Sequence, residues 1–193
     1  FLIAAIAALV ICTNADARRK EVGIVAHRGF WNCEAAGYAE NSVAALRCAQ
    51  EAGLWGSEFD VNMTSDGVLL IYHDSSVNGK KIEKHPYSDF KDFKLANGEN
   101  IPTIDDYLEQ GKKYPETMLV YEIKPHSSAE VEDKVVELSI ATLREHGLLD
   151  PQRVMFISFS LHMCEVLAKE LPEFSVQFLG SSKSPDELAK RGI

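Results

Sequence analysis

The sequence predicts a single α/β domain built on a parallel sheet. Apolar, β-rich runs alternate with helical patterns, and the runs are apolar at nearly every position, which is typical of parallel strands buried on both faces. The 193 residues are 46% apolar and 25% charged, the composition of an ordinary globular domain rather than a disordered chain. The six predicted strands are residues 22–26, 57–62, 68–73, 118–123, 154–159 and 175–179.

Helices are predicted between the strands from capping residues and apolar spacing. Asn41-Ser42 provides the N-cap of a helix that ends near Gln50, and Ser184 followed by Pro185 marks the start of the last helix. The other predicted helices are residues 104–113, 130–146 and 161–170.

Two connections in the middle of the chain differ from a simple strand–helix repeat. Asp66-Gly67 predicts a tight turn between the second and third strands, with no room for a helix. Residues 75–103 are polar and too long for a plain loop. We therefore predict a small insertion after the third strand.

The amino terminus has the pattern of an export signal. Residues 1–12 are an unbroken apolar run, too short for a bilayer-spanning helix of roughly 20 residues. The following Ala15-Asp16-Ala17 is the small-x-small pattern that signal peptidase accepts. The sequence thus predicts a signal peptide over residues 1–17 and an exported domain over residues 18–193, in the periplasm or outside the cell.

Two details of this terminus refine the prediction. Cys12 raises the alternative of a lipoprotein anchor, but Ile11 before it is bulkier than the small residue that lipoprotein processing needs. The chain opens with Phe1 and lacks basic residues before the apolar run, so we expect the natural terminus to lie upstream. No membrane span is expected in the mature form.

The net charge of the chain indicates the class of partner. The net charge of −9 argues against nucleic acid, because proteins that bind its backbone normally present excess Lys and Arg. A small-molecule substrate is expected instead.

The cysteines do not predict a disulfide framework. Without Cys12, the chain keeps Cys33, Cys48 and Cys164, an odd number without metal-like spacing.

Acidic residues on two strands suggest a metal site. Glu58 and Asp60 lie two residues apart in a strand, so both carboxylates face the same side of the sheet. Buried carboxylates need a positive neighbour, and hard cations such as Ca²⁺ and Mg²⁺ prefer carboxylate oxygens. Glu122 lies in another strand, two residues before Lys124. These three acids are the predicted metal ligands.

Histidines and basic residues lie where such strands end. His27 and Arg28 end the first strand, and His73 ends the third. Paired histidines suit phosphodiester cleavage because one can take a proton from the attacking oxygen while the other protonates the leaving oxygen. Arg28 and Lys124 offer positive charge to phosphate oxygens.

Each of these features is common on its own. A single strand-end histidine is usually structural, and a lone Glu-x-Asp is usually an exposed strand face. The function is predicted from their joint occurrence at strand ends, where barrels carry catalytic groups. The remaining histidines are expected to be loop or surface residues, and the loop residues Trp31, Cys33 and Tyr38 either shape the site or simply pack.

Seven short motifs carry a resemblance to a known family. They are His27-Arg28-Gly29, Glu40-Asn41-Ser42, Glu58-Phe59-Asp60-Val61, Thr64-x-Asp66-Gly67, His73-Asp74, Ile101-Pro102-Thr103 and Glu122-Ile123-Lys124. With these motifs, the chain resembles the glycerophosphodiester phosphodiesterase family over roughly residues 22–180. The resemblance implies a TIM-type (β/α)₈ barrel with a small insertion after strand 3. Only six strands are predicted here, so we expect a barrel truncated after about six strands, with exposed sheet edges that favour poor stability or assembly with another copy.

The resemblance also implies an activity and residue roles. The activity is divalent-metal-dependent hydrolysis of glycerophosphodiesters to glycerol 3-phosphate and an alcohol. The implied roles are metal binding by Glu58, Asp60 and Glu122, acid–base catalysis by His27 and His73, phosphate contact by Arg28 and Lys124, and a substrate-proximal position for Asn41. The alternatives are a related barrel phospholipase that acts on lipid head groups and a non-catalytic binding protein on the same fold.

Overall fold

The structure is a computed structural model that describes residues 22–193. The predicted signal peptide, residues 1–17, lies outside the described residues. None of the helices within the described range is long and apolar enough to cross a membrane.

A sheet of six strands forms the centre of the domain. Its core is parallel, in the order β1-β2-β6-β7-β8, and β3 pairs with β2. The short strands β4 and β5 form a separate hairpin. The strands are β1 (Val25–Ala26), β2 (Gly56–Met63), β3 (Leu69–Ile71), β4 (Ser76–Val77), β5 (Lys80–Lys81), β6 (Met118–Ile123), β7 (Val154–Ser158) and β8 (Val176–Phe178).

The expectation that all main strands are parallel is wrong for β3. This strand runs antiparallel to β2, with Val61 opposite Ile71 and Met63 opposite Leu69. The physical reason is the turn at Asp66-Gly67, since a parallel strand needs a crossover of a dozen or more residues. β1 pairs with β2 only at Gly56 and Ser57, whereas β3 pairs with the opposite end of β2. The two short strands therefore lie end to end along the same edge of β2.

The helices begin where polar capping residues precede an apolar face. Ser42, Thr103, Ser128, Ser160 and Ser184 each accept a hydrogen bond from a backbone N–H of the first turn. Short 3₁₀ helices cover Glu34–Ala36, Ile82–Lys84 and Tyr87–Asp89. The α-helices are α1 (Val43–Glu51), α2 (Ile104–Gly111), α3 (Ala129–Glu145), α4 (Leu161–Glu170) and α5 (Pro185–Ala189).

The two faces of the sheet have opposite chemistry. The rings of Phe59, Tyr121 and Phe156, from adjacent strands, pack edge-on or tilted in the core, with centroids 4.9 and 5.5 Å apart. Because side chains alternate along a strand, their neighbours Glu58, Asp60 and Glu122 face the other side. The residues predicted as an insertion contribute Val77, Ile82, Phe90 and Ile101 to a small apolar cluster, which Leu70 of β3 completes.

Candidate active site

Three carboxylates from neighbouring strands form a buried acidic cluster. Glu58 and Asp60 lie on β2, and Glu122 lies on β6 opposite Asp60 in the parallel register. One oxygen from each carboxylate lies within 4.8 Å of the others, and all three residues are buried. The pairing of β2 with β6 therefore brings the predicted metal ligands together.

Glu58 is the member of this cluster with an unsatisfied oxygen. Its Oε2 accepts a hydrogen bond from the backbone N–H of Arg28 at 2.7 Å, but its buried Oε1 has no hydrogen-bond partner among residues 22–193. Burial, followed by repulsion from Asp60, raises the pKa of Glu58 to about 8. A buried oxygen without a donor is costly, so this atom points to a positively charged ligand.

The donor set fits a hard divalent cation. All three side chains offer carboxylate oxygens, which Mg²⁺ and Ca²⁺ prefer, and the cluster lacks the thiolate and imidazole donors that softer metals favour. A cation bound here would give Glu58 Oε1 a partner and offset the mutual repulsion of the buried acids. The residues present are therefore compatible with a divalent metal.

Asp60 is held by two side chains that the sequence analysis also singled out. Its Oδ2 accepts a hydrogen bond from the amide of Asn41 at 2.8 Å, and its Oδ1 accepts one from Lys124 Nζ at 3.1 Å. Asn41 adopts a positive φ of 56° and also accepts a hydrogen bond from the Asp60 backbone N–H. These contacts fix the orientation of the carboxylate at the centre of the cluster.

Lys124 gives the cluster a permanent positive charge. Its Nζ donates to Glu122 Oε1 at 2.7 Å as well as to Asp60. Burial lowers the pKa of Lys124, but the hydrogen bonds and negative charges of Glu122 and Asp60 outweigh it, so the pKa is raised overall. The ring of Phe159 lies 6.0 Å from Lys124 Nζ, a contact that the sequence analysis did not identify.

Arg28 and His27 border the cluster from the loop after β1. Arg28 Nη1 donates to Glu40 Oε2 at 2.9 Å, and Arg28 Nε lies 3.7 Å from Asp60 Oδ2. Burial lowers the pKa of Arg28, but Glu40 and the nearby acids raise it overall. His27 has a side chain that is 71% exposed, with its Nε2 3.9 Å from Glu58 Oε2. Solvent therefore reaches an imidazole at the edge of the acidic cluster.

His73 reaches the same part of the sheet from the opposite direction. If the register between β1 and β2 is continued by one residue, His27 lies beside Glu58. If the register between β3 and β2 is continued by two residues, His73 lies beside Phe59. His73 Nδ1 lies 2.7 Å from Asp74 Oδ1, so the Nδ1–H donates and Nε2 remains available. The end of the antiparallel β3 thus lies near the end of β1, along the same edge of β2.

His126 supports the site although the sequence analysis gave it no role. Its Nε2 accepts a hydrogen bond from the Met63 backbone N–H at 3.1 Å, and its Nδ1–H donates to the Lys124 carbonyl at 2.7 Å. The ring therefore ties the end of β2 to the segment after β6. Its position two residues after Lys124 was the available sequence signal.

We expect His126→Ala to destabilise the fold by about 1–3 kcal/mol, because it leaves the buried Met63 N–H without an acceptor. Burial lowers the pKa of His126 below its ordinary value of 6.5. Its contribution to stability is therefore fully present above pH 6.5 and decreases as the pH falls below that value. Urea unfolding at pH 8 and pH 5.5 checks this, with His162→Ala, whose side chain is 40% exposed, as control. An equal loss at both pH values would contradict it.

The loop after β1 contains the remaining candidate residues. Trp31 and Cys33 pack against a small cluster of Ala36, Ala45 and Cys48, which supports a packing role. Tyr38 is 59% exposed. Trp31 and Cys33 thus pack the loop against α1, while the side chain of Tyr38 faces solvent.

Fold and site together define an α/β barrel-type protein with a cluster of oxygen donors suited to a divalent cation. Lys124 contacts this cluster, and Arg28 and His27 border it. The sequence profile of the glycerophosphoryl diester phosphodiesterase family matches residues 27–191. The chain belongs to this family, which confirms the resemblance drawn from the motifs.

Curated relatives agree with the family assignment. Proteins named glycerophosphodiester phosphodiesterase from Caldanaerobacter subterraneus subsp. tengcongensis and Bacillus altitudinis are each 28% identical, in alignments that cover 81% of this chain. The same alignments cover 65% of each relative. This chain therefore spans slightly less than two thirds of the length of these relatives.

Solved structures confirm the predicted fold class. A glycerophosphodiester phosphodiesterase from Parabacteroides distasonis is 38% identical with a TM-score of 0.83, over 88% of this chain and 69% of that one. A phosphodiesterase from Oleispira antarctica, solved in complex with the product sn-glycerol-3-phosphate, is 25% identical with a TM-score of 0.71, over 88% of this chain and 72% of that one.

Proposed function

We propose that the protein hydrolyses glycerophosphodiesters to glycerol 3-phosphate and an alcohol, in a reaction that depends on Ca²⁺ or Mg²⁺. The observation that carries this proposal is the buried cluster of Glu58, Asp60 and Glu122, with an unpartnered oxygen on Glu58 and an accessible His27 at its edge. Family membership and the product complex of the Oleispira relative support the substrate class.

The acidic cluster would hold the divalent cation. Glu58, Asp60 and Glu122 would be its protein ligands, and Asn41 would keep Asp60 in place through the 2.8 Å hydrogen bond. When bound, the cation supplies positive charge to a phosphate oxygen and lowers the pKa of a nearby hydroxyl.

Two basic side chains would bind the substrate phosphate. Lys124 and Arg28 keep their charge at any physiological pH because acidic neighbours raise the pKa of each. Glu40 orients the guanidinium of Arg28 through a 2.9 Å hydrogen bond. A planar donor fork matches two phosphate oxygens at once, so Arg28 would fix the phosphate in one orientation.

His27 and His73 would move the protons. One imidazole takes the proton of the glycerol 2-hydroxyl as its oxygen attacks phosphorus, and the other protonates the alcohol whose bond to phosphorus breaks. Water then opens the resulting cyclic phosphate, giving glycerol 3-phosphate. Asp74 holds Nδ1–H of His73, which leaves its Nε2 ready to accept or return a proton.

The experiment that tests the proposal measures glycerol 3-phosphate released from glycerophosphocholine and glycerophosphoethanolamine by the full-length natural protein. We expect release with Ca²⁺ or Mg²⁺ and none with chelator. If a folded protein whose melting temperature responds to the metal releases no glycerol 3-phosphate, the proposed activity is wrong.

A specific observation favours a second candidate, a barrel phospholipase that acts on lipid head groups. Apolar side chains that follow β1, β7 and β8 are exposed, namely Phe30 at 43%, Phe159 at 54% and Leu179 at 38%. Such residues suit contact with a lipid tail or surface. Release of product from lysophosphatidylcholine micelles, and none from glycerophosphocholine, would favour this candidate over the first.

A further inference from the structure

The loop between β1 and α1 forms one wall of the candidate site. It is closed at its base by a hydrogen bond from the Asn41 backbone N–H to the Arg28 carbonyl at 2.9 Å. Arg28, Glu40 and Asn41 all lie at this base. Any restraint on the loop therefore acts next to the residues that border the acidic cluster.

Two cysteines meet in one small packed cluster between this loop and α1. Cys33 is half-buried and directly precedes the 3₁₀ helix Glu34–Ala36, while Cys48 is 6% exposed on α1. Cys33 packs against the small cluster formed by Ala36, Ala45 and Cys48. Burial, and next the neighbouring thiol of Cys33, raises the pKa of Cys48. The two cysteines are therefore neighbours in this cluster, and Cys33 Sγ donates a hydrogen bond to the Phe30 carbonyl at 3.3 Å.

We propose that Cys33 and Cys48 are a disulfide modification site that fastens the loop after β1 to α1. The closed segment contains residues 33–48, so the bond would restrain the loop over a short stretch of chain. Nothing in the family motifs requires either cysteine. The export predicted from residues 1–17 would bring the protein to a compartment where disulfides form and persist.

The oxidation needs a disulfide-bearing oxidant, such as oxidised glutathione or an oxidised dithiol oxidoreductase. The Cys33 thiolate attacks a sulfur of the oxidant, forms a mixed disulfide and expels the first thiolate. Cys48 then loses its proton and attacks the Cys33 sulfur, which expels the second thiolate. The two protein thiols give up two electrons and two protons, and the oxidant becomes two thiols.

The order of attack follows from exposure. Cys33 is the more accessible thiol, so it meets the oxidant first. Cys48 is buried, so it reacts in the second step, with the mixed disulfide that Cys33 has formed. Cys164 on α4 contrasts with both, because it is buried and its sulfur lies near the carbonyls of Ser158 and Gln177, at 3.8 and 3.6 Å. It therefore provides a matched control.

The test treats the full chain with oxidised glutathione, or with dithiothreitol, and counts thiols after denaturation. We expect the oxidised protein to lose two thiols, with peptide mapping that joins the peptides of Cys33 and Cys48. We expect its melting temperature to rise by about 5 °C over the reduced protein. Cys164→Ser and Cys12→Ser should keep both effects, whereas Cys33→Ser and Cys48→Ser should abolish them.

Other outcomes would overturn the proposal. They are retention of all thiols, a stable glutathione adduct on Cys33 that Cys48 does not resolve, and a cross-link that maps to Cys12 or Cys164. A cross-link without a rise in melting temperature would overturn the restraint on the loop. Because thiols and melting temperature are measured without substrate, these outcomes are independent of the proposed hydrolase activity.

Discussion

Glu58→Gln is expected to abolish metal-dependent activity, with a fall in kcat of at least about 10³-fold. Glutamine keeps the acceptor for the Arg28 backbone N–H and nearly the same volume, so the substitution removes a negative charge from the cluster and little else. With only two carboxylates left, the cluster should bind the divalent cation much more weakly. The rise in melting temperature on adding Ca²⁺ or Mg²⁺ should therefore disappear together with product release.

The same variant should be more stable than the natural protein when no metal is present. Because burial and Asp60 raise the pKa of Glu58 to about 8, its carboxyl favours folding below pH 4.5, and this contribution is lost as the pH rises through 8. Glutamine has no charge to bury. We therefore expect Glu58→Gln without metal to gain about 1–3 kcal/mol of unfolding free energy at pH 8, and less near pH 5.

This pair of opposite effects separates a metal ligand from a structural residue. Glu137→Gln on the surface of α3, where Glu137 pairs with Lys134, is the control and should change neither metal response nor stability by more than about 0.5 kcal/mol. Loss of stability in Glu58→Gln without metal, or an unchanged response to metal, would contradict the assignment of Glu58 as a ligand.

The parallel core of the sheet was predictable because its strands are long apolar runs bounded by capped helices. The strand over 118–123 and the helix over 161–170 match the structure residue for residue. The direction of β3 was missed because apolar periodicity reports burial and not orientation. The turn at Asp66-Gly67 indicated the direction, since a connection as short as residues 64–68 can join only antiparallel neighbours.

The acidic cluster was predictable for a similar reason. Alternation along a strand places Glu58 and Asp60 on one face, and a parallel neighbour adds Glu122. The contacts of His126 with Met63 and Lys124 depend on side-chain directions in a connecting segment, which no periodic pattern encodes. The same holds for the packing of Cys33 into the cluster that contains Cys48, because the course of the loop after β1 brings Cys33 back onto α1.

His27→Ala is expected to lower kcat by about 10²–10⁴-fold while metal binding remains. His27 contributes no atom to the acidic cluster, its side chain is 71% exposed, and its Nε2 lies 3.9 Å from Glu58 Oε2. Removal of the ring should therefore leave the carboxylates in place and remove only a proton-transfer group. The melting-temperature response to Ca²⁺ or Mg²⁺ and the KM should change little.

The pH profile gives this variant a signature that a structural role would not produce. If His27 transfers a proton, the arm of the kcat profile that reports its ionisation should vanish in His27→Ala, and added imidazole should restore part of the rate. His162→Ala, which removes a partly exposed ring paired with Asp133 on the helical side of the sheet, should keep the full rate and profile. A His27→Ala protein with an unchanged kcat would assign proton transfer to other groups. A His27→Ala protein whose melting temperature no longer responds to Ca²⁺ or Mg²⁺ would indicate that His27 is part of the cation site.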